Sequence, residues 1–97
     1  MSISGNNGNR FSRDVVVQNK LGLHARPASM FVKLATRFES EIFVEKEGEE
    51  VNGKSIMGLM MLAAGPGTTL TLRVEGGDAA QAISELEKLV KRNFEEE

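Results

Sequence analysis

The chain has 97 residues, 40% of them hydrophobic, which suffices for one modest core and excludes a two-domain enzyme. Its formal net charge of −2 at pH 7 and its lack of Trp and Tyr argue against nucleic acid, which selects basic surfaces with aromatic stacking platforms. Cysteine is absent, so disulfides and thiolate chemistry are excluded. We expect no metal and no cofactor.

The longest apolar stretch, residues 56–64, contains Gly58 and is far shorter than the roughly 20 residues that cross a bilayer. The first residues lack the basic start and apolar run of a secretory signal. We therefore expect a cytoplasmic domain that does not insert into a membrane. We also expect it to be a monomer.

The first 12 residues differ in composition from the rest of the chain. Apart from Met1, residues 1–12 carry only Ile3 and Phe11 as large apolar groups, so burial cannot offset the entropy of ordering them. They are predicted to form a flexible tail. The folded domain is expected over residues 13–94, and the acidic residues 95–97 are expected to be a solvated end.

The first half of the domain begins with a β-branched run at residues 15–17, which predicts a strand. A loop over residues 19–26 follows it. Apolar residues spaced by three and four over residues 28–38 predict a helix with Pro27 in its first turn. Whether Arg26 lies inside this helix stays open, because a residue before proline disfavours helical angles.

Alternating polarity at residues 41–46 predicts a second strand, and the turn at residues 47–49 leads to a short third strand around Val51. Residues 55–63 predict a short second helix with Ser55 near its N-cap.

After a Gly-Pro-Gly break, residues 69–75 alternate as a half-buried strand. Asp78 is predicted to cap a last helix with an apolar stripe. The order strand, helix, strand, strand, helix, strand, helix predicts an α+β domain with helices on one side of an open sheet.

The only histidine, His24, directly precedes the first predicted helix. A lone histidine is most often a surface or capping residue, but a helix start presents unpaired N–H groups to anions, and Arg26 adds a planar cation. Imidazole is also a nucleophile at neutral pH. These features predict a phosphoryl acceptor at His24, with the phosphate held at the helix start by Ala25, Arg26, Pro27 and Ala28.

Two motifs in this order resemble those of the HPr family of the bacterial phosphoenolpyruvate-dependent phosphotransferase system (PTS). They are Gly22-Leu23-His24-Ala25-Arg26-Pro27-Ala28 and Lys54-Ser55-Ile56-Met57-Gly58-Leu59-Met60. The resemblance runs from about Val15 to Val90. It implies an open-faced sandwich, in which a four-stranded antiparallel sheet carries three helices on one face.

The resemblance also implies a function. The protein would be a stoichiometric phosphocarrier rather than an enzyme, with the phosphoryl group on Nδ1 of His24 and Arg26 stabilising its charge. Enzyme I would be the donor and an EIIA-type protein or domain the acceptor. Ser55 matches a regulatory site that an ATP-dependent HPr kinase/phosphorylase modifies in many members.

Two features point to different branches of this family. Leu21, in Asn19-Lys20-Leu21-Gly22, looks more like the nitrogen-regulatory branch, whereas Lys54-Ser55-Ile56-Met57-Gly58 looks like kinase-regulated HPr. A regulatory module whose phosphorylation state signals to a bound protein is therefore an alternative to a sugar-transport carrier. A purely structural domain would require both motifs to arise by chance.

The second predicted helix is almost entirely apolar after Ser55, and a helix on one layer cannot bury every side. We expect a docking surface that combines the residues around His24 with outward side chains of this helix, chiefly Ile56 and Met60. Placing that helix beside His24 follows the family fold.

Overall fold

A computed structural model describes residues 9–95. Its strands are β1 (Arg10–Val16), β2 (Glu41–Lys46), β3 (Glu49–Asn52) and β4 (Thr69–Glu75). Its helices are α1 (Ala25–Ala35), α2 (Ile56–Met61) and α3 (Ala79–Lys91), and a 3-10 turn, Asn93–Glu95, follows α3. The chain order is βαββαβα, which confirms the predicted order.

The four strands form one sheet in the order β1-β4-β2-β3, and every neighbouring pair is antiparallel. In β4, Leu70, Leu72 and Val74 are buried while the residues between them are not. Helix α3 packs against β1 and β4, and α1 packs against both α2 and α3. The predicted open-faced sandwich is therefore confirmed.

The core lies between the buried face of the sheet and the helices. Large side chains that are almost fully buried come from β2, β4, α2 and α3, and include Ile42, Val44, Leu59, Leu70, Leu72, Val74, Leu86 and Val90. No helix within residues 9–95 is both long and apolar enough to cross a membrane.

Two predicted boundaries are wrong. Strand β1 begins at Arg10, so residues 10–12 belong to the sheet rather than to the tail; Phe11 pairs with Val74 and packs against the core. The rest of the predicted tail, residues 1–8, lies outside the described residues. Helix α1 ends at Ala35 rather than at the predicted residue 38, and Phe38 packs against the core from beyond its end.

Asp78 was predicted to cap α3, but its side chain does not bond to the helix. Asp78 occupies the N-cap position, but its φ of −106° and ψ of 24° lie outside the extended region, and its side chain makes no capping hydrogen bond. The carboxylate instead accepts hydrogen bonds from the backbone N–H groups of Glu39 and Ser40 and from the Ser40 hydroxyl. A contact between distant segments has replaced the local one.

Candidate functional site

His24 is the N-cap residue of α1. Its backbone is extended, with φ −85° and ψ −169°, and its carbonyl oxygen accepts the first hydrogen bond of the helix from the N–H of Ala28 at 3.0 Å. The side chain is half-buried, and its Nε2 nitrogen is shielded from solvent. The histidine therefore stands at the positive end of the helix dipole, as the sequence predicted.

Not all four residues predicted to hold phosphate at the start of α1 have a backbone N–H group to offer. The first N–H groups of an α-helix have no acceptor within the helix. Pro27 has no N–H, however, and that of Ala28 is donated to His24. Of the four residues predicted to hold phosphate, only Ala25 and Arg26 can therefore offer a backbone donor, while Pro27 and Ala28 are buried and shape the helix start.

Arg26 lies inside α1 as its second residue, which answers the question left open by the following proline. Its side chain is exposed. Within residues 9–95 its guanidinium makes no hydrogen bond or ion pair, and the first turn of α1 contains no acidic residue. The cation is thus available to an anionic group bound at the helix start.

The loop before His24 is held by polar contacts that the sequence analysis missed. Asn19 is buried, and its side-chain Nδ2 donates a hydrogen bond to the backbone carbonyl of Gly22 at 2.7 Å. The backbone carbonyl of Asn19 accepts a hydrogen bond from the N–H of Gly22 at 3.0 Å. Leu23 donates its N–H to the carbonyl of Ala64 at 2.8 Å. The spacing of Asn19 and Gly22 is typical of a turn, which is the signal that could have revealed this contact.

Gly22 has a φ of +69°, and a Cβ on it would overlap the carbonyl of Ala64. A side chain at this position would therefore push the loop away from the segment that follows α2. The glycine permits the close approach that places His24.

Ser55 is the N-cap of α2, as predicted. Its Oγ accepts a hydrogen bond from the N–H of Gly58 at 2.9 Å. The preceding Lys54 donates its Nζ to the carbonyl of Phe38 at 2.7 Å, which ties the start of α2 to the segment after α1. The hydroxyl is therefore held in a defined position at a half-exposed helix start.

Helix α2 buries only Leu59 and presents an apolar face to solvent. This α2 apolar face comprises Ile56, Met57, Met60 and Met61, which are 41%, 73%, 43% and 68% exposed. The exposure predicted for Ile56 and Met60 is confirmed, but Met57 and Met61 are more exposed and were not singled out. A spacing of four describes both pairs equally well, so periodicity alone could not rank them.

The helices that carry the histidine and the α2 apolar face are neighbours in the fold. Helices α1 and α2 contact each other. The hydrogen bond from Leu23 to Ala64 joins the residue before His24 to a residue just after the end of α2. Leu21, 76% exposed in the same loop, adds a further apolar side chain beside the site.

An open four-stranded antiparallel sheet, three helices on one face and a histidine at the first helix start define an HPr-like fold. Residues 11–92 match the protein family described as PTS HPr component phosphorylation site. The chain belongs to this family, the HPr phosphocarriers of the phosphotransferase system.

Individual relatives are similar over nearly their whole length. HPr-like protein Crh of Halalkalibacterium halodurans is 52% identical over 80 residues, which cover 82% of this chain and 95% of that protein. Phosphocarrier protein HPr of Neisseria meningitidis serogroup A is 48% identical over 84 residues, covering 87% and 94%. The crystal structure of HPr-C-His from Thermoanaerobacter tengcongensis has a TM-score of 0.86 and 45% identity, covering 90% of this chain and 98% of that one.

Proposed function

We propose that the protein accepts a phosphoryl group from phospho-enzyme I on His24 and passes it to an EIIA-type protein or domain. The observation that carries this proposal is the position of His24 at the N-cap of α1, with the exposed Arg26 in the same first turn. A nucleophile, a cation and a helix start at one point can accept a dianionic group and hold its charge.

The transfer would use Nδ1 of the imidazole. A bond forms between this nitrogen and phosphorus while the bond from phosphorus to the donor breaks. The shielding of Nε2 supports this choice, because attack by Nε2 would first require the ring to turn out of the protein. The guanidinium of Arg26 and the N–H groups of Ala25 and Arg26 would stabilise the phosphoryl oxygens.

Donor and acceptor would dock in turn on the α2 apolar face and the loop around His24. Ile56 and Met60 are central in this proposal. Thioethers are flexible and polarisable, so a methionine surface can adapt to more than one partner. A small apolar contact with a polar rim suits a complex that must form and dissociate at each transfer.

The test uses purified protein, enzyme I and phosphoenolpyruvate, followed by an EIIA-type acceptor. Intact-mass measurement is expected to show an acid-labile gain of one phosphate, which disappears when the acceptor is added. No gain after incubation with active enzyme I would contradict the carrier function.

A second candidate is a regulatory module, in which phosphorylation is read by a bound protein rather than passed on. The position of Ser55 supports it, because a half-exposed hydroxyl at a helix start can be modified and the added charge favours that end of the helix. An HPr kinase/phosphorylase would be the modifying enzyme. Phosphate that reaches His24 but is not released to any EIIA-type acceptor would favour this candidate.

We also propose that the carrier acts in the cytoplasm as a monomer. One copy carries His24, Arg26 and the α2 apolar face, which supports a site formed within a single chain. Light scattering of the phosphorylated and unphosphorylated protein tests the oligomeric state directly.

A further inference from the structure

Three of the five methionines of the chain lie in the six-residue helix α2. Met57 and Met61 are 73% and 68% exposed, and they are four residues apart, so they share one side of the helix. Met30 differs, because it is half-buried beside the groove between α1 and α3. The most accessible thioethers among the described residues therefore belong to one small surface.

We propose that Met57 and Met61 form a site of reversible oxidation by peroxide, and that oxidation there weakens the docking of phosphotransfer partners. Oxidation at Met57 and Met61 is inferred only from the exposure of these side chains and the chemistry of thioethers. The effect on docking rests on the proposed function.

The oxidation is a two-electron oxygen transfer. The thioether sulfur attacks one oxygen of hydrogen peroxide; the O–O bond breaks, an S–O bond forms, and the other oxygen leaves as water. A thiol-dependent methionine sulfoxide reductase removes the added oxygen as water and restores the thioether. The chain contains no cysteine, so no thiol competes for the peroxide within the molecule.

The modification would change the surface and leave the core intact. A sulfoxide is polar, so two of them would interrupt an apolar face that otherwise consists of Ile56 and Met60. Leu59 is the only buried residue of α2, and the exposed sulfurs can gain oxygen without entering the core. Oxidation is therefore expected to lower partner affinity while the domain stays folded.

The site itself is tested by peptide mapping after brief treatment with hydrogen peroxide. Sulfoxide is expected at Met57 and Met61 well before Met30. Equal rates at all three positions, or faster oxidation of Met30, would overturn the proposed site. This result does not depend on any phosphotransfer activity.

The consequence is tested by the rate of phosphoryl transfer from enzyme I before and after the same treatment. A fall of about fivefold is expected, because Met57 and Met61 share the face of Ile56 and Met60, and most contacts around the centre of an interface have effects of about this size or smaller. Labelling of His24 by phosphoramidate, a small donor that needs no docking surface, should not change. The double variant Met57→Leu/Met61→Leu keeps apolar side chains of similar volume at these two positions without their sulfurs. Met60 is less exposed and keeps its sulfur, so peroxide should slow transfer by this variant much less than transfer by the parent.

Met30→Leu is the matched control, and it should remain as sensitive to peroxide as the parent. An unchanged transfer rate in the oxidised parent, an equal loss in the double variant, or a parallel loss of phosphoramidate labelling would overturn the docking effect. If the untreated protein takes no phosphate from enzyme I, the proposed function is wrong, and the peptide map alone decides the modification site.

Discussion

Asp78 and Ser40 are 38 residues apart in the sequence, yet Oδ1 of the carboxylate accepts hydrogen bonds from both the backbone N–H of Ser40, at 3.0 Å, and its hydroxyl. Oδ2 accepts from the N–H of Glu39 at 2.9 Å. Ser40 is buried, and Gly76 approaches it so closely that a Cβ on the glycine would overlap its hydroxyl. One carboxylate thus ties the start of α3 to the segment that enters β2.

This contact makes stability depend on pH. The Ser40 hydroxyl and, after it, the Glu39 N–H lower the pKa of Asp78 from its ordinary value. Because the pKa is lower in the folded state than in the unfolded state, the contribution is complete above the unfolded value of about 3.9 and is lost as the pH falls toward the folded value. We expect Asp78→Asn to lower the Tm at pH 7 and to flatten the loss of Tm on acidification.

Thermal unfolding followed by circular dichroism between neutral and acid pH checks this expectation. Glu41→Gln, at an exposed position of β2, serves as the control and should follow the parent. Parallel Tm curves for the parent and Asp78→Asn would contradict the role given to the carboxylate.

Arg26 should affect the transfer of phosphate and not the fold, since its side chain is exposed and its guanidinium makes no hydrogen bond or ion pair among residues 9–95. Arg26→Ala removes the donor that we propose stabilises the charge of the transferring group, and an effect of roughly 100-fold on the rate is expected. Arg26→Lys keeps the charge without the planar guanidinium, so its transfer rate should lie between those of the parent and of Arg26→Ala.

Rapid-quench measurement of phosphohistidine formation gives these rates. Arg10→Ala, which removes an exposed arginine at the start of β1, is the matched control. If the parent and both Arg26 variants react at one rate, Arg26 is not part of the site.

Some of this structure can be predicted from local patterns and some cannot. The alternation of Leu70, Leu72 and Val74 with polar residues, ended by glycines, predicts β4 with its observed bounds. Every second side chain of a strand points to the same face, so a sheet with one solvent-facing side and one buried side requires this alternation. The start of α1 stayed open because Pro27 disfavours helical angles at Arg26, the residue before it.

Other features depend on contacts between distant segments. The conformation of Gly22 has meaning only once the carbonyl of Ala64 lies against it, and these residues are far apart in the sequence. Asp78 has the sequence signature of a cap, but the buried N–H and hydroxyl of Ser40 compete for its carboxylate. His24 and Arg26 could be identified as candidates because they lie at a helix start that Pro27 marks. For Ser55 the sequence itself marks only an N-cap, and its regulatory role follows from the resemblance to the HPr family.

Phosphate on Ser55 should slow transfer from enzyme I with little change in the fold. Ser55→Ala removes the hydrogen bond to Gly58 and should cost about 1 kcal/mol of stability. Ser55→Asp keeps an acceptor at the N-cap and adds a charge beside Ile56, so it should stay folded and transfer more slowly.

Denaturant unfolding and transfer kinetics separate these two effects. Ser12→Asp places the same charge at an exposed position of β1 and should not alter the rate. Normal kinetics for both Ser55→Asp and genuine phosphoserine would exclude regulation through this residue.

The variants Ile56→Lys and Met60→Lys should slow both the transfer of phosphate from enzyme I and its delivery to the acceptor. Both side chains are about as exposed as Val16, so the free energy of unfolding should change by no more than about 0.5 kcal/mol. Val16→Lys alters an apolar side chain of similar exposure on β1 and is the matched control. Unfolding of the Lys variants would show that the residues belong to the core, and normal transfer would place the docking surface elsewhere.

The proposed transfer depends on His24 as the residue that carries the phosphoryl group. Peptide mapping of the protein after incubation with enzyme I and phosphoenolpyruvate, beside a correctly folded His24→Ala variant, identifies that residue. One acid-labile phosphate is expected on His24 in the parent and none in the variant. Phosphate from enzyme I on the His24→Ala protein, or on another residue of the parent, would contradict it.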